Sequence, residues 1–148
     1  HIAFYADDHD GIPQYFHLWQ SQSGWKVNQV LKRTSPFQLK GIGTLPIPIS
    51  RPEIIIDKDD KAHILFRSDI SENRLAVVSA SPPHYEPTTE PETICHEKVG
   101  FSEPVIDRSN WQNNNVLTLF IQDTHQPHGD VKSKTTYSHA SLIDVKIS

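Results

Sequence analysis

Short apolar stretches separated by polar turns run along the whole chain and read as strands. Three of them share one phrase, in which Phe is followed three residues later by Asp, at residues 1–7, 63–69 and 117–123. Apolar runs of this length, flanked by turn residues, predict β-strands. The phenylalanines stand at positions 4, 66 and 120. Their spacing is near the repeat of about 40 to 50 residues that propeller families show.

Two further phrases accompany this repeat. A short strand is predicted before two of the three copies, at residues 52–57 and 104–107. Polar residues that favour hairpin-like turns follow it, at 58–61 and 108–115. After each copy comes one more apolar strand, and these three strands are predicted at residues 15–19, 75–79 and 140–144. The unit is therefore strand, turn, strand, loop, strand.

The pattern predicts an all-β chain. Helix-length stretches with apolar residues at three- and four-residue spacing are missing, and 11 prolines interrupt the chain. Antiparallel units repeated in this way favour a partial β-propeller of about three blades, with units of about 1–48, 49–101 and 102–148 in a single partial domain. The alternative is a small β-sandwich whose repeats are accidental.

A closed ring needs at least four blades. We therefore expect this chain to be the C-terminal part of a larger ring of about seven blades, with the remaining blades of the same protein as its partner. We also expect Phe4, Phe66 and Phe120 to occupy equivalent buried places. The first unit lacks the opening strand that precedes the other two, which favours a segment cut within a blade.

Composition narrows the classes of function. A net charge of −4 argues against non-specific nucleic-acid binding, which requires a basic surface. No apolar run reaches about 18 residues, so no membrane span is expected. The single cysteine, Cys95, has no partner for an internal disulfide and is expected to be a small buried residue. No metal or cofactor is expected.

Two arginines are candidates for binding an anionic group. Arg51 lies just before Pro52 and the strand that would be innermost in its blade, which would place it at a rim suited to a bidentate contact with a carboxylate. Arg67 follows Phe66 in an apolar strand and therefore needs a partner or a ligand. The alternatives are a surface role for Arg51 and a structural ion pair of Arg67 with Asp57 or Asp69.

Aromatic residues and a histidine form a second candidate group. Tyr15, His17 and Trp19 share one face of a strand because side chains alternate with a period of two. Such a face suits sugar stacking and proton transfer. Equally, Trp19 could pack between blades with His17 as a hydrogen-bonded core residue. The aspartates that recur at the end of each repeat favour a turn or cap role, and these are Asp7, Asp69 and Asp123.

These phrases together resemble the BNR-like repeat proteins, the propeller group that includes sialidase-like proteins and ulvan-lyase-type polysaccharide lyases. The segments that carry the resemblance are residues 15–19, 23–25, 50–57 and 64–69. It covers roughly the first half of the chain. The Asp-box phrase of true sialidases, Ser-x-Asp-x-Gly-x-Thr-Trp, does not occur, which makes sialidase-like hydrolysis a lesser alternative.

The resemblance implies a secreted or periplasmic carbohydrate-active propeller, and a lyase of a uronate-containing polysaccharide in particular. By resemblance, Arg67 would neutralise the uronate carboxylate, His17 would be the base or a sugar-binding partner, and Arg51 would be a second anionic contact. Tyr15 and Tyr5 would be candidates for the acid. A non-catalytic glycan-binding propeller is the alternative, in which Trp19, Trp25 and Tyr15 would form a stacking surface. A third is a scaffold for protein interactions.

Overall fold

The computed structural model describes residues 1–38, 45–88, 90–126 and 137–147. Within these ranges the protein is all-β, with three antiparallel sheets and one short helix. A strand is present at each predicted apolar phrase, because each phrase supplies enough alternating or continuous apolar residues to cover a buried face. Three further strands, at Gly24–Leu31, Glu86–Pro87 and Glu92–Lys98, are not predicted by these phrases.

The first sheet contains β1 (Ile2–Asp7), β2 (Pro13–Ser21) and β3 (Gly24–Leu31), in that order. Strands β1 and β2 pair in register, with Phe4 opposite Phe16. The sheet is a simple meander, so its two hairpins join neighbouring strands directly.

The second sheet contains β4 (Glu53–Ile56), β5 (Ala62–Arg67), β6 (Arg74–Ser81) and the short β7 (Glu86–Pro87), in that order. Strand β8 (Glu92–Lys98) also pairs with β6. Every residue of β5 is buried. This strand therefore lies at the centre of the described structure and has protein on both faces.

The third sheet contains β9 (Val105–Ile106), β10 (Leu117–Gln122) and β11 (Ala140–Val145), with β10 in the middle. Between β9 and β10 lies the helix α1 (Arg108–Asn114), where the sequence predicts only a turn. That prediction is wrong because local capping favours a helix. The Asp107 side chain accepts a hydrogen bond from the Asn110 backbone N–H, and Asn115 ends the helix in a left-handed conformation.

Two cores join the three sheets, one on each face of the second sheet. The first core packs it against the first sheet and includes Tyr15, Trp19, Ile64, Phe66 and Val78. The second core packs it against the third sheet and includes Ile55, Leu65, Val77, Leu117 and Leu119. The second sheet therefore lies between the other two. Cys95 is buried in the second core, as expected.

The expected equivalence of the three phenylalanines is wrong for Phe120. Phe66 is fully buried in the first core, and Phe4 is half-buried and stacks on Phe16 with ring centroids 5.4 Å apart. Phe120 is 37% exposed, because its neighbours Leu119 and Ile121 point into the second core. A register difference of one residue exchanges the two faces of a strand. The shared phrase therefore predicts where a strand lies but not which of its side chains point into the core.

The exposed edge of β4 is partly covered by the third sheet's helix. The Arg108 side chain donates to the Ile54 carbonyl, and the Trp111 indole N–H donates to the Ile56 carbonyl. Such contacts satisfy carbonyls that an edge strand leaves unpaired. Among the described residues no helix has the length and apolar character needed to cross a membrane.

Candidate functional site

A pocket of about 300 Å³ opens where the ends of β1 and β5 meet the loops that precede β4 and β9. It brings together three residues that the sequence proposes for a site, Tyr5, Arg51 and Arg67. The other residues that line it are Ile47, Ile49, Phe101, Glu103 and Gln126. Two cations, a phenol, an amide and a single carboxylate thus face one small space.

Arg67 is the most unusual group in this pocket, because its side chain is a buried cation that is held by neutral acceptors. It is only 2% exposed. Its guanidinium donates to the Ser102 carbonyl at 3.1 Å, to the Ile47 carbonyl at 3.1 Å and to the Asn73 side-chain oxygen at 3.3 Å. It also lies over the Phe101 ring, 5.5 Å from the centroid. These contacts fix the orientation of the guanidinium without neutralising its charge.

Neither structural ion pair considered for Arg67 forms. Burial lowers the pKa of Arg67, against the opposing effect of nearby Tyr15, Glu103 and Asp69. Arginine nonetheless stays protonated in proteins. In the described parts of the chain no carboxylate makes an ion pair with it. Among the described residues, the charge of Arg67 is therefore not neutralised by a carboxylate.

The carboxylate of Asp69 forms an ion pair with Arg33, a residue that the sequence does not single out. Arg33 is fully buried and donates from Nε and Nη2 to the two Asp69 oxygens, at 3.0 and 2.8 Å. It also donates to the Pro13 carbonyl. The two residues are 36 positions apart, and no sequence motif signals their pairing. This pair ties the end of the first sheet to the end of β5.

Arg51 is held by Glu103, which the sequence also does not single out. The Arg51 side chain is 79% exposed, and its Nε donates to Glu103 Oε2 at 2.7 Å. The Arg51 backbone N–H also donates to Glu103 Oε1 at 3.3 Å. Arg51 therefore does meet a carboxylate, but one that belongs to the protein.

Tyr5 is the phenol that is open to the pocket. It is 42% exposed at the end of β1 and lies near Arg51, whose pKa is raised chiefly by the hydrogen bond to Glu103 and only slightly by Tyr5.

Tyr15 has a different environment from Tyr5. It is completely buried, and its hydroxyl lies 3.0 Å from both the Ser50 and the Arg67 carbonyl oxygens, so it donates to this pair. Burial raises the pKa of Tyr15 far above its ordinary value. In this geometry the phenol holds the backbone of Ser50, in the loop before β4, beside that of Arg67 at the end of β5.

His17 and Trp19 lie in a separate aromatic cluster with His1 and Tyr85, and neither lines the arginine pocket. The imidazoles of His1 and His17 are stacked, and His1 Nδ1 lies 2.9 Å from His17 Nε2. Burial, with a smaller contribution from the His1 α-amino group, lowers the pKa of His17 to about 4. The imidazole is therefore neutral at pH 7. Its Nδ1 is buried and has no hydrogen-bond partner among the described residues.

A second buried histidine, His63, links three strands. Its Nδ1 lies 2.8 Å from Ser79 Oγ, and its Nε2 lies 3.2 Å from Asp57 Oδ2. Asp57 also accepts from the backbone N–H groups of Asp59 and Lys61, in the turn between β4 and β5. The three side chains thus fix this turn to β6, at the opposite end of β5 from Arg67.

The described residues bring one group of possible metal ligands together, Asp8, His9 and Asp10, with ligand atoms within 4.8 Å of one another. The Asp8 carboxylate is already engaged by the backbone N–H groups of Asp10 and Ile12 and by the Gln14 amide. These hydrogen bonds account for the cluster as the turn between β1 and β2.

No model of a known protein family matches the chain, and no curated protein matches its sequence. The geometry of the arginine pocket and of the aromatic cluster is therefore the basis for assigning a function.

Proposed function

We propose that this chain is part of a propeller that binds an anionic, uronate-containing polysaccharide through the pocket of Tyr5, Arg51 and Arg67. The observation that carries the proposal is the buried, oriented guanidinium of Arg67, which lines an open pocket and has no carboxylate of its own. Burying a cation without a counterion is costly, and protein sites that accept this cost commonly use the charge for a ligand.

A carboxylate bound at this position would gain more than it would at an exposed arginine. Ser102, Ile47 and Asn73 already hold the guanidinium in one orientation, so binding loses little side-chain entropy. The surroundings are partly apolar, with Ile47, Ile49 and Phe101, which strengthens the attraction between opposite charges. Tyr5 and Gln126 offer hydrogen bonds to sugar hydroxyls.

The proposal of a propeller rests on the three stacked sheets. Each of the two cores is formed by sheets that follow one another along the chain. The first sheet has a second apolar face, opposite the core, with Ile2, Phe4, Phe16, Leu18 and Val27. The third sheet likewise presents Val105, Phe120 and Leu142. Further sheets of the same protein would cover both faces as the second sheet covers its neighbours.

Uronate lyase activity is a finer proposal for the same pocket. It would require the two arginines to neutralise the carboxylate and stabilise the charge that develops when the C5 proton leaves. Tyr5 is the candidate acid or base that lines this pocket, whereas Tyr15 is buried behind it and His17 lies in the aromatic cluster. Absorbance of an unsaturated uronate product from polygalacturonate would support it, and Tyr5→Phe should then abolish turnover while weakening binding by no more than one hydrogen bond.

Calorimetric titration tests the binding proposal. The full chain is titrated with trigalacturonic acid and with its methyl ester, which has the same sugar rings and no charge. A charge-assisted contact of about 1.5 to 3 kcal/mol predicts that the acid binds roughly ten- to hundredfold more tightly. The preference should shrink at high salt. Equal affinity for the acid and the ester would overturn the proposal.

A further inference from the structure

We infer that Glu103 sets the affinity and the charge selectivity of the arginine pocket, by occupying Arg51 with a carboxylate that an anionic ligand must replace. This inference rests on the proposed function. It adds Glu103 as a specificity-determining residue. Glu103 competes with the ligand for Arg51 and not for Arg67.

The geometry of Glu103 resembles that of a bound ligand. Both of its oxygens are engaged by Arg51, one by the side-chain Nε at 2.7 Å and one by the backbone N–H at 3.3 Å. It is the one acidic residue among the described residues that line the pocket. Its charge also acts on the Arg67 guanidinium and favours the protonated form. A protein carboxylate therefore lies where a second carboxylate would bind.

The Glu103 side chain can leave Arg51 while its backbone stays in place. Its loop is fixed to Thr124, two residues after the end of β10, because the Phe101 N–H donates to the Thr124 carbonyl and Gly100 approaches the same carbonyl closely. A Cβ on Gly100 would lie 2.0 Å from that oxygen, and its φ of +57° also favours glycine. Release of Arg51 then requires only rotation of the glutamate side chain.

The ion pair to be broken is weak. The Arg51 side chain is 79% exposed and that of Glu103 is 39% exposed, so water replaces their contact readily. A ligand carboxylate can therefore displace Glu103 at small cost and gain both arginines. A neutral sugar offers no replacement for the Glu103 carboxylate, so it leaves the pair intact and meets a narrower pocket. This difference would add to the selectivity for anionic glycans.

The test is calorimetric titration of wild-type protein, Glu103→Gln and a control variant with trigalacturonic acid and its methyl ester. The amide of Glu103→Gln keeps the size of the side chain and removes the competing charge. We expect it to bind the acid about two- to fivefold more tightly than wild type, with little change for the ester. Glu90→Gln, which removes one exposed carboxylate outside the pocket, should bind like wild type. Thermal melting of each variant verifies that it is folded.

The outcomes separate this inference from the binding proposal. If wild type prefers the acid but Glu103→Gln binds it equally or less tightly, Glu103 orients Arg51 and the inference is wrong while the binding proposal stands. If neither protein distinguishes the acid from the ester, both are wrong. If Glu90→Gln gains as much affinity as Glu103→Gln, the effect is one of overall charge and the inference is also wrong.

Discussion

At the scale of single residues, the two buried arginines show how the same side chain takes different roles. Arg33 is paired with both oxygens of Asp69, whereas Arg67 is held by two backbone carbonyls and an amide oxygen. The first arrangement compensates a buried charge that would be costly to leave unpaired. The second leaves the charge without a carboxylate partner among the described residues, and the proposed function assigns it to a ligand. Burial alone therefore does not tell whether an arginine is paired within the protein.

The buried histidines predict how stability depends on pH. The pKa of His17 is about 4 in the folded protein and the pKa of His63 is also lowered, in both cases chiefly by burial. An unfolded histidine has a pKa of about 6.5. The unfolded state therefore binds protons that the folded state does not, and stability falls as the pH drops from about 7 towards 4.

Replacing His17 tests this dependence. His17→Leu should lose less stability than wild type between pH 7 and pH 4, because it removes one imidazole that stays neutral in the folded protein. The effect is on the order of 2 to 3 kcal/mol at pH 4. Urea unfolding at pH 7, 5.5 and 4 measures it, with His9→Leu as the control on an exposed histidine. An unchanged pH dependence in His17→Leu would mean that His17 is protonated without penalty in the folded state.

At the scale of elements, the structure predicts a large loss of stability for one residue of β10 and a small loss for the residue next to it. Leu119 is fully buried in the second core, while Phe120 faces outward. Leu119→Ala should lower the free energy of unfolding by about 2 to 5 kcal/mol. Phe120→Ala should lower it by less than about 1 kcal/mol in this chain. Denaturant unfolding compares the two, and the reverse order would show that β10 faces the other way.

Most of the strands could be predicted from the sequence, but the mostly exposed β3 and β8, the short β7 and some of the strands' surroundings could not. Alternation placed Tyr15, His17 and Trp19 together on one face, and the structure confirms this because all three are buried. The facing of Phe120 depends on the register between strands, which a repeated phrase does not determine. The helix α1 depends on capping by Asp107 and Asn115, inside a segment whose composition favours a turn.

The candidate site was only partly predictable for a related reason. Tyr5, Arg51 and Arg67 meet in one pocket because they lie near strand ends at the same end of the first and second sheets. The other three candidates share one face of β2 but do not line the pocket. Tyr15 is buried behind the pocket, and His17 and Trp19 lie farther along the strand in the aromatic cluster. Glu103 and Arg33 act through contacts between segments more than 30 residues apart, and such contacts leave no local pattern.

At the scale of the whole molecule, the two outer apolar faces predict self-association. Val27 and Trp25 are more than half exposed on the first sheet, and Leu142 is 72% exposed on the third. Exposed apolar faces of this kind commonly lie in interfaces, and uncovered ones promote aggregation. We expect the isolated chain to associate as its concentration rises, or to remain partly unfolded.

Sedimentation velocity over a range of concentrations measures this association. A Val27→Lys, Leu142→Lys double variant should associate less, because it adds a charge to each outer face. Lys26→Ala serves as a control. Lys26 is next to Val27 in β3 but lies on the opposite face of the sheet. A wild-type chain that stays monomeric and melts in one cooperative transition would contradict the proposal that other sheets cover these faces.

The most direct test of the central claim is the affinity of Arg67 variants for trigalacturonic acid. Arg67→Met removes the buried charge, and Arg67→Lys keeps a charge but loses the planar donor geometry. Lys58→Gln, at the opposite end of β5, removes one exposed charge and is the control. The account predicts that Arg67→Met loses at least tenfold in affinity, that Arg67→Lys loses less, and that Lys58→Gln binds like wild type. A folded Arg67→Met that binds the acid as tightly as wild type would contradict it.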